Sequence, residues 1–384
     1  AASDVYKRQD IGKIVTGKTP RTSVAENYDG YIPFLTPSDD LSHKSAPKTT
    51  KTLTEQGLNE VRNCLLPSRS ICVSCIGSDL GKVVMTKEPT VTNQQFNSII
   101  PNKNFNADFV YYFMTLVGRE LNYLSKTSTA VPIINKSSFS NYEIEVPDLE
   151  TQNRIASILS SIDSKIELNR RINDNLEQQA QALFKSWFVD FEPFRGGEFV
   201  DSELGLIPKG WRVVSLGEVT KQITEKVGNR EDVTVLSPIN SGELVLSEEY
   251  FTKQVFSKDL SKYLIVNPLS FAYNPARINI GSIGLNTFDF VGCVSPVYVV
   301  FECEPNYQYF FDFFKRTAMF KDEVALRAIG GVRQSLGYND LSLIKTIYPT
   351  SDVVVEFNNL YLKMKEVMIK NTDQNEKFIS LRDS

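Results

Sequence analysis

At 384 residues, with 41% hydrophobic and 23% charged side chains and a net charge of −4, the chain has room for two or three ordinary globular domains. The acidic balance excludes a bulk polycation of the histone kind and leaves room for local basic loops. No apolar run approaches the ~18 residues of a membrane span, and no signal-peptide pattern opens the chain. A cytoplasmic protein without membrane contact is expected.

Residues 1–9 (AASDVYKRQ) carry no apolar period and no turn signal. From Ile11 to Val146 short strand-like runs alternate with turn clusters such as TGKTPR, NYDGYIP and TPSDD, and one helix is expected from Ala107 to Leu121. Residues 1–146 read as an α+β domain. Cys72 and Cys75 form a lone CxxC in RSICVSCI, which alternates like a strand; only Cys64 and His43 lie nearby as further zinc ligands. Ordinary buried cysteines are expected, and no metal site.

Residues 147–192 follow as one long helix, with Asp148 as the expected cap after Pro147. Its seam steps by four and three through Ile155, Leu159, Ile162, Ile166, Asn169, Asn173, Leu176, Ala180, Leu183 and Trp187. That spacing is a coiled-coil seam, so the helix needs a partner helix. Residues 193–210 carry Pro193, Gly196, Gly197, Pro208 and Gly210 and read as a linker. A second strand-rich domain, residues 211–349, precedes a second long helix, residues 350–384.

The two halves repeat each other at a spacing of about 200 residues. Ile11-Gly12 matches Leu216-Gly217, Leu35-Thr36-Pro37 matches Leu236-Ser237-Pro238, and LPSRSICVS matches VNPLSFAYN. Gly81-Lys82-Val83 matches Gly281-Ser282-Ile283, and Pro147-Asp148 matches Pro349-Thr350. An offset of 202 places Phe357, Tyr361, Met364, Met368, Asn371, Asn375 and Phe378 on the second seam and aligns Asn169 and Asn173 with Asn371 and Asn375. Four polar residues inside an apolar seam suit a register mark. A solvated edge is the other reading, with Ile172 replacing Asn173 on the seam.

This order of elements resembles the specificity subunits of Type I restriction-modification systems. The resemblance rests on TGKTPR and YIPFLTPSD in the first half, and on the junction VPDLETQNRIASILSSIDSKIELNRRINDNLEQQAQALFKSWFVDFEPF. In the second half it rests on PKGWRVVSLGEV, YNPARINIGSIG, VSPVYVVF and GGVRQSLGYNDL. It implies two target recognition domains, each reading half of a bipartite double-stranded DNA site. It further implies two spacer helices packed as an antiparallel coiled coil that docks methyltransferase subunits, with restriction subunits in the fuller complex. The chain itself is then non-catalytic and binds no cofactor; S-adenosylmethionine, ATP and magnesium are implied only for partner subunits. Two departures stand out. The first repeat has VYKRQD where the second has a Trp-containing strand, which puts in question whether residues 1–9 are native. The second helix is expected to continue about ten residues beyond Ser384.

Two rival readings remain. Gly12 to Thr19 matches the phosphate-loop pattern GxxxxGK(S/T), which requires a preceding strand and a helix opening at its end, yet Pro20 follows directly. A coiled-coil scaffold that reads no DNA is the other. With one histidine and no Asn/Asp-Pro-Pro-aromatic segment, no catalytic set is visible. Base readout needs donors reaching base edges, and phosphate contact needs cations. The candidates are Lys18, Arg21, Lys126 and Lys136 in the first half, and Asn274, Arg277, Arg327, Arg333 and Gln334 in the second. Arg333-Gln334 suits guanine and adenine respectively.

Overall fold

The computed structural model describes residues 4–45, 48–77, 80–126, 143–251, 255–327 and 335–383. The chain divides into two compact units, Ala1–Asn169 with Asp373–Ser384, and Arg170–Thr372. Both are α+β, and both use the same plan.

In the first unit, β1 (Asp4–Lys7) pairs with β9 (Glu143–Val146). A four-stranded antiparallel sheet runs in the order β2 (Gly12–Thr16), β8 (Phe96–Pro101), β5 (Ile71–Ser74), β6 (Val83–Met85). A three-stranded sheet runs β4 (Lys51–Leu53), β3 (Tyr28–Leu35), β7 (Val91–Thr92), with β3 and β7 parallel. Every residue of β5 is buried, because the strand is covered on both faces. Ile71 and Val73 turn toward the helix Ala107–Lys126, while Cys72 turns toward the core that holds Phe34, Leu35 and Val91. Alternation along a strand thus builds a helix–sheet–sheet sandwich.

The second unit repeats it. After a hairpin of β10 (Phe199–Ser202) and β11 (Gly205–Pro208), β12 (Arg212–Ser215) pairs with β21 (Lys345–Tyr348). One sheet runs β13 (Thr220–Ile223), β20 (Val299–Cys303), β17 (Phe271–Tyr273), β18 (Ile283–Leu285). The other runs β15 (Leu244–Leu246), β14 (Thr234–Pro238), β19 (Gly292–Val294), β16 (Leu264–Val266), with β14 and β19 again parallel. The strand β16 has a minimal counterpart in the first unit, the single bridge Leu66 to Thr90. Even local strain recurs: Arg69 (φ 67°) and Leu269 (φ 61°) both turn left-handed at matching positions, as do Gly81 and Gly281. The segment read as a linker is a hairpin because Gly205, at φ 98°, supplies the turn.

The long helices run Leu149–Phe188 and Ser351–Asp383. Asp148 caps the first, its Oδ1 accepting the Thr151 amide at 2.8 Å, and those bonds hold its carboxyl below the ordinary range. All ten seam positions of the first helix and all seven of the second are buried or half-buried. In the first unit Asp163 meets Arg382 and Asn169 meets Asn375. In the second unit Asn173 meets Asn371 and Phe184 meets Phe357. Numbers rise along one helix as they fall along the other, so the packing is antiparallel in each unit.

Candidate nucleic-acid interface

The segment after β2 decides between a phosphate loop and something else. Gly17 lies so close to the turn between β7 and β8 that a Cβ there would come within 2.1 Å of the Asn93 carbonyl oxygen. Its amide donates to the Phe96 carbonyl at 3.1 Å, and the Lys18 amide donates to the Thr92 carbonyl at 2.9 Å. The amides that would cradle a phosphate are therefore already committed. Gly12 sits inside a strand, and the next helical residues are the three of Ala25–Asn27 rather than a helix opening at Thr19. The phosphate-loop pattern is a match of letters without the geometry its mechanism needs.

What the segment does present is polar. The Lys18 side chain is exposed and has no ionic partner among the described residues. The Thr19 hydroxyl donates to Gln94 Oε1 at 2.6 Å, so the exposed Gln94 is held against the same loop. Sequence reasoning did not single out Gln94, which lies 75 residues away. Arg21, three residues from Lys18, grips the Glu60 carboxylate through Nε at 2.9 Å and Nη2 at 2.7 Å. That grip brings the Glu60 carboxyl down to about 2, and it places a carboxylate beside the cation.

In the second unit Asn274 closes a turn after β17, its Oδ1 accepting the Ala276 amide at 3.0 Å. The Arg277 amide donates to the Asn274 carbonyl at 2.9 Å. Asn274 and Arg277 thus share one turn, and the exposed Arg277 side chain has no ionic partner among the described residues. Behind them Tyr273 is fully buried and its hydroxyl has no hydrogen-bond partner there. Arg327 ends the helix Ala318–Arg327 with its guanidinium on Glu323, at 3.1 and 2.9 Å. Lys136, Arg333 and Gln334 lie outside the described residues, and Lys126 is described in backbone only.

The four seam asparagines form two hydrogen-bonded pairs. Asn169 Nδ2 donates to Asn375 Oδ1 at 2.9 Å and to Gln374 Oε1 at 2.8 Å. Asn371 Nδ2 donates to Asn173 Oδ1 at 2.8 Å, and Asn173 Nδ2 donates to the Met368 carbonyl at 3.1 Å. Alignment pairs Asn169 with Asn371; the antiparallel packing instead joins each to the other's neighbour.

Cys64, Cys72, Cys75 and Cys293 are buried and Cys303 is half-buried, all as free thiols. Burial pushes the Cys72 thiol up to about 12. Among the described residues no three His, Cys, Asp or Glu groups gather in a way that could hold a metal ion, and no helix is long and apolar enough to cross a membrane.

Residues 2–178 match the family model described as the Type I restriction modification DNA specificity domain. The Type I restriction enzyme MjaIX specificity subunit of Methanocaldococcus jannaschii is 28% identical over 397 residues, spanning 99% of this chain and 91% of that one. Residues 2–178 carry a Type I DNA specificity domain. The HindI specificity subunit of Haemophilus influenzae is 35% identical over 171 residues, covering 43% of this chain and 37% of that protein. The solved Type I S subunit of M. genitalium aligns over 100% of this chain and 94% of its own at a TM-score of 0.54 and 14% identity, a shared fold.

Proposed function

We propose that this specificity subunit reads a bipartite double-stranded DNA target, one half-site per recognition domain, within a Type I restriction-modification complex. The observation that carries the reading is the repetition of one domain plan, down to the parallel pairing of β3 with β7 and of β14 with β19. A chain that builds the same reader twice is suited to reading two half-sites. The chain supplies recognition; methyl transfer and cleavage, with S-adenosylmethionine, ATP and magnesium, belong to partner subunits. Lys18 and Arg277, exposed and without ionic partners among the described residues, are the first candidates for DNA contact, with Gln94 and Asn274 beside them.

The spacer helices offer the docking surface for methyltransferase subunits. On the second helix Val355, Leu362 and Ile369 recur every seven residues and are 38%, 42% and 50% exposed. Such a stripe is what an apolar partner surface covers. The seam asparagines act as register marks, since each pair satisfies polar groups in one alignment of the helices.

Exchanging residues 211–349 for the matching domain of another family member tests the reading. Methylated adenines mapped across a host genome are expected to show one altered half-site and one unchanged. A change in both half-sites, or in neither, rejects it.

A further inference from the structure

Strand register reveals a correspondence between the two domains that residue counting obscures. Ile71 faces Ile99 as Phe271 faces Phe301, so Ser98 corresponds to Val300. Val15 faces Ser98 and Ile223 faces Val300, which makes Val15 the counterpart of Ile223. The flanking residues then fall into line: Lys13-Ile14-Val15-Thr16-Gly17-Lys18 against Lys221-Gln222-Ile223-Thr224-Glu225-Lys226. Both copies carry lysine, a β-branched core residue, threonine and lysine at the same places. All four lysines are exposed. Lys13, Lys18 and Lys226 have no ionic partner among the described residues, and the ammonium of Lys221 lies 3.9 Å from Glu302 with both groups open to solvent.

Arg69 and Lys87, two other exposed cations of the first domain, are not repeated. Arg69 corresponds to Leu269, and Lys87 to Thr287. Arg21, Arg62 and Arg69 are each paired with a carboxylate. In a chain of net charge −4, four open lysines kept at matching positions are selective.

Resting on the reading of the chain as a two-domain DNA reader, we propose that Lys13 and Lys18 in the first domain, and Lys221 and Lys226 in the second, are phosphate clamps. They would hold the duplex backbone without reading its sequence. The logic is that two readers of different half-sites share whatever is independent of sequence and differ in whatever is not. The surroundings fit that division. Beside Lys18 the turn Asn93-Gln94-Gln95 leads into β8, whereas the corresponding turn before β20 is Ser295-Pro296-Val297, with Val297 70% exposed. The cations are kept and their neighbours change.

An edge-strand lysine can also ward off pairing with another sheet, and β2 and β13 are the edges of their sheets. That accounts for Lys13 and Lys221. It does not account for Lys18 and Lys226, which lie beyond the strand ends.

The test uses the full chain produced with its modification subunits. A duplex is selected from a randomised pool by the wild-type complex, and its Kd is then measured from ~50 to 200 mM salt. Each phosphate contact contributes about 0.9 to the slope of log K against log salt. Lys18→Ala/Lys226→Ala is expected to flatten the slope by about 2 and the four-alanine variant by about 4, with the same duplex selected; arginine at the four positions restores the slope. Lys87→Ala is expected to leave it unchanged. An unchanged slope in the four-alanine variant overturns the clamp, as does a changed selected sequence, a Lys87→Ala effect of equal size, or aggregation as the only consequence. If the wild-type complex selects no duplex, the DNA-reading function fails first and the clamp with it.

Discussion

Lys315 is the charged residue of the second unit most deeply enclosed, and replacing it tests how its polar core is held. Its side chain is 2% exposed, and its ammonium donates to Asp312 Oδ1 at 2.7 Å, the Gly242 carbonyl at 2.6 Å and the Ile283 carbonyl at 3.0 Å. An ammonium has three donors, and all three are used. Burial pushes its pKa down, opposed by the Asp312 carboxylate. Lys315→Met keeps much of the volume and removes every one of these bonds. The buried Ile283 carbonyl and the half-buried Gly242 carbonyl then lose a charged donor, each costing about 1–1.5 kcal/mol. Asp312 keeps Arg316 at 2.8 Å and is not orphaned, so the loss falls near the low end of the 3–5 kcal/mol seen when a buried pair is broken, at about 3 kcal/mol. Trp187 and Trp211 are the two tryptophans and both lie in this unit, so their fluorescence during urea unfolding reports it. With a slope of about 2–3 kcal/mol per molar, the midpoint is expected to fall by about 1 M or more. The pH dependence carries its own sign. A lysine whose folded pKa is depressed binds a proton more readily when unfolded, so its contribution to stability grows as pH rises toward 10.5. The wild-type advantage over Lys315→Met should therefore widen with pH below that value. A midpoint equal to or above wild type would show that desolvating the ammonium outweighs its three bonds, and would refute the reasoning.

Asn169→Leu leaves the buried Asn375 carbonyl oxygen without its donor, an expected cost of about 1–3 kcal/mol, whereas Asn169→Leu/Asn375→Leu should recover most of it. Hydrogen exchange of peptides spanning residues 160–172 measures both, and additive losses would deny the coupling. The Glu60 carboxyl is expected to titrate near 2 by NMR and to return toward 4.5 in Arg21→Ala. Its contribution is complete above the ordinary value and is lost as pH falls toward 2; a wild-type midpoint near 4.5 contradicts the clasp. Cys72 and Cys293, pushed by burial to about 12 and 11, should resist iodoacetamide at pH 8 in the native protein and react once it is unfolded. Native labelling of either at the rate of a free thiol would contradict their burial.

The features legible in the sequence are those whose cause is local or periodic. The seam from Ile155 to Trp187 could be read because heptad spacing is written within one helix, and the repeat because a constant offset survives divergence. Asp148 as a cap needs only its near neighbours. Features made by distant segments were not legible. The partner of Arg21 was one of these, because the fold brings Glu60 against it from 39 residues away. Nothing local marks Lys315, which follows the helix Gln308–Phe314, as enclosed, because its carbonyl acceptors are 73 and 32 residues distant. The hairpin of β10 and β11 was hidden by its own glycines and prolines, which mark a turn as readily as a linker.

The phosphate-loop pattern and the lysine repeat begin one residue apart, and the contrast between them is instructive. The first is a match to a motif whose mechanism needs free amides, and those amides bond to Phe96 and Thr92. The second is no known motif, yet two sheets place Lys13 and Lys221 at the same register, and Lys18 and Lys226 follow at the same spacing with the same exposure. A pattern gains meaning when the backbone delivers the geometry that its chemistry requires. Here the geometry supports side-chain ammonium groups facing solvent beside a variable turn, which suits a polyanion held from outside far better than a nucleotide enclosed by backbone.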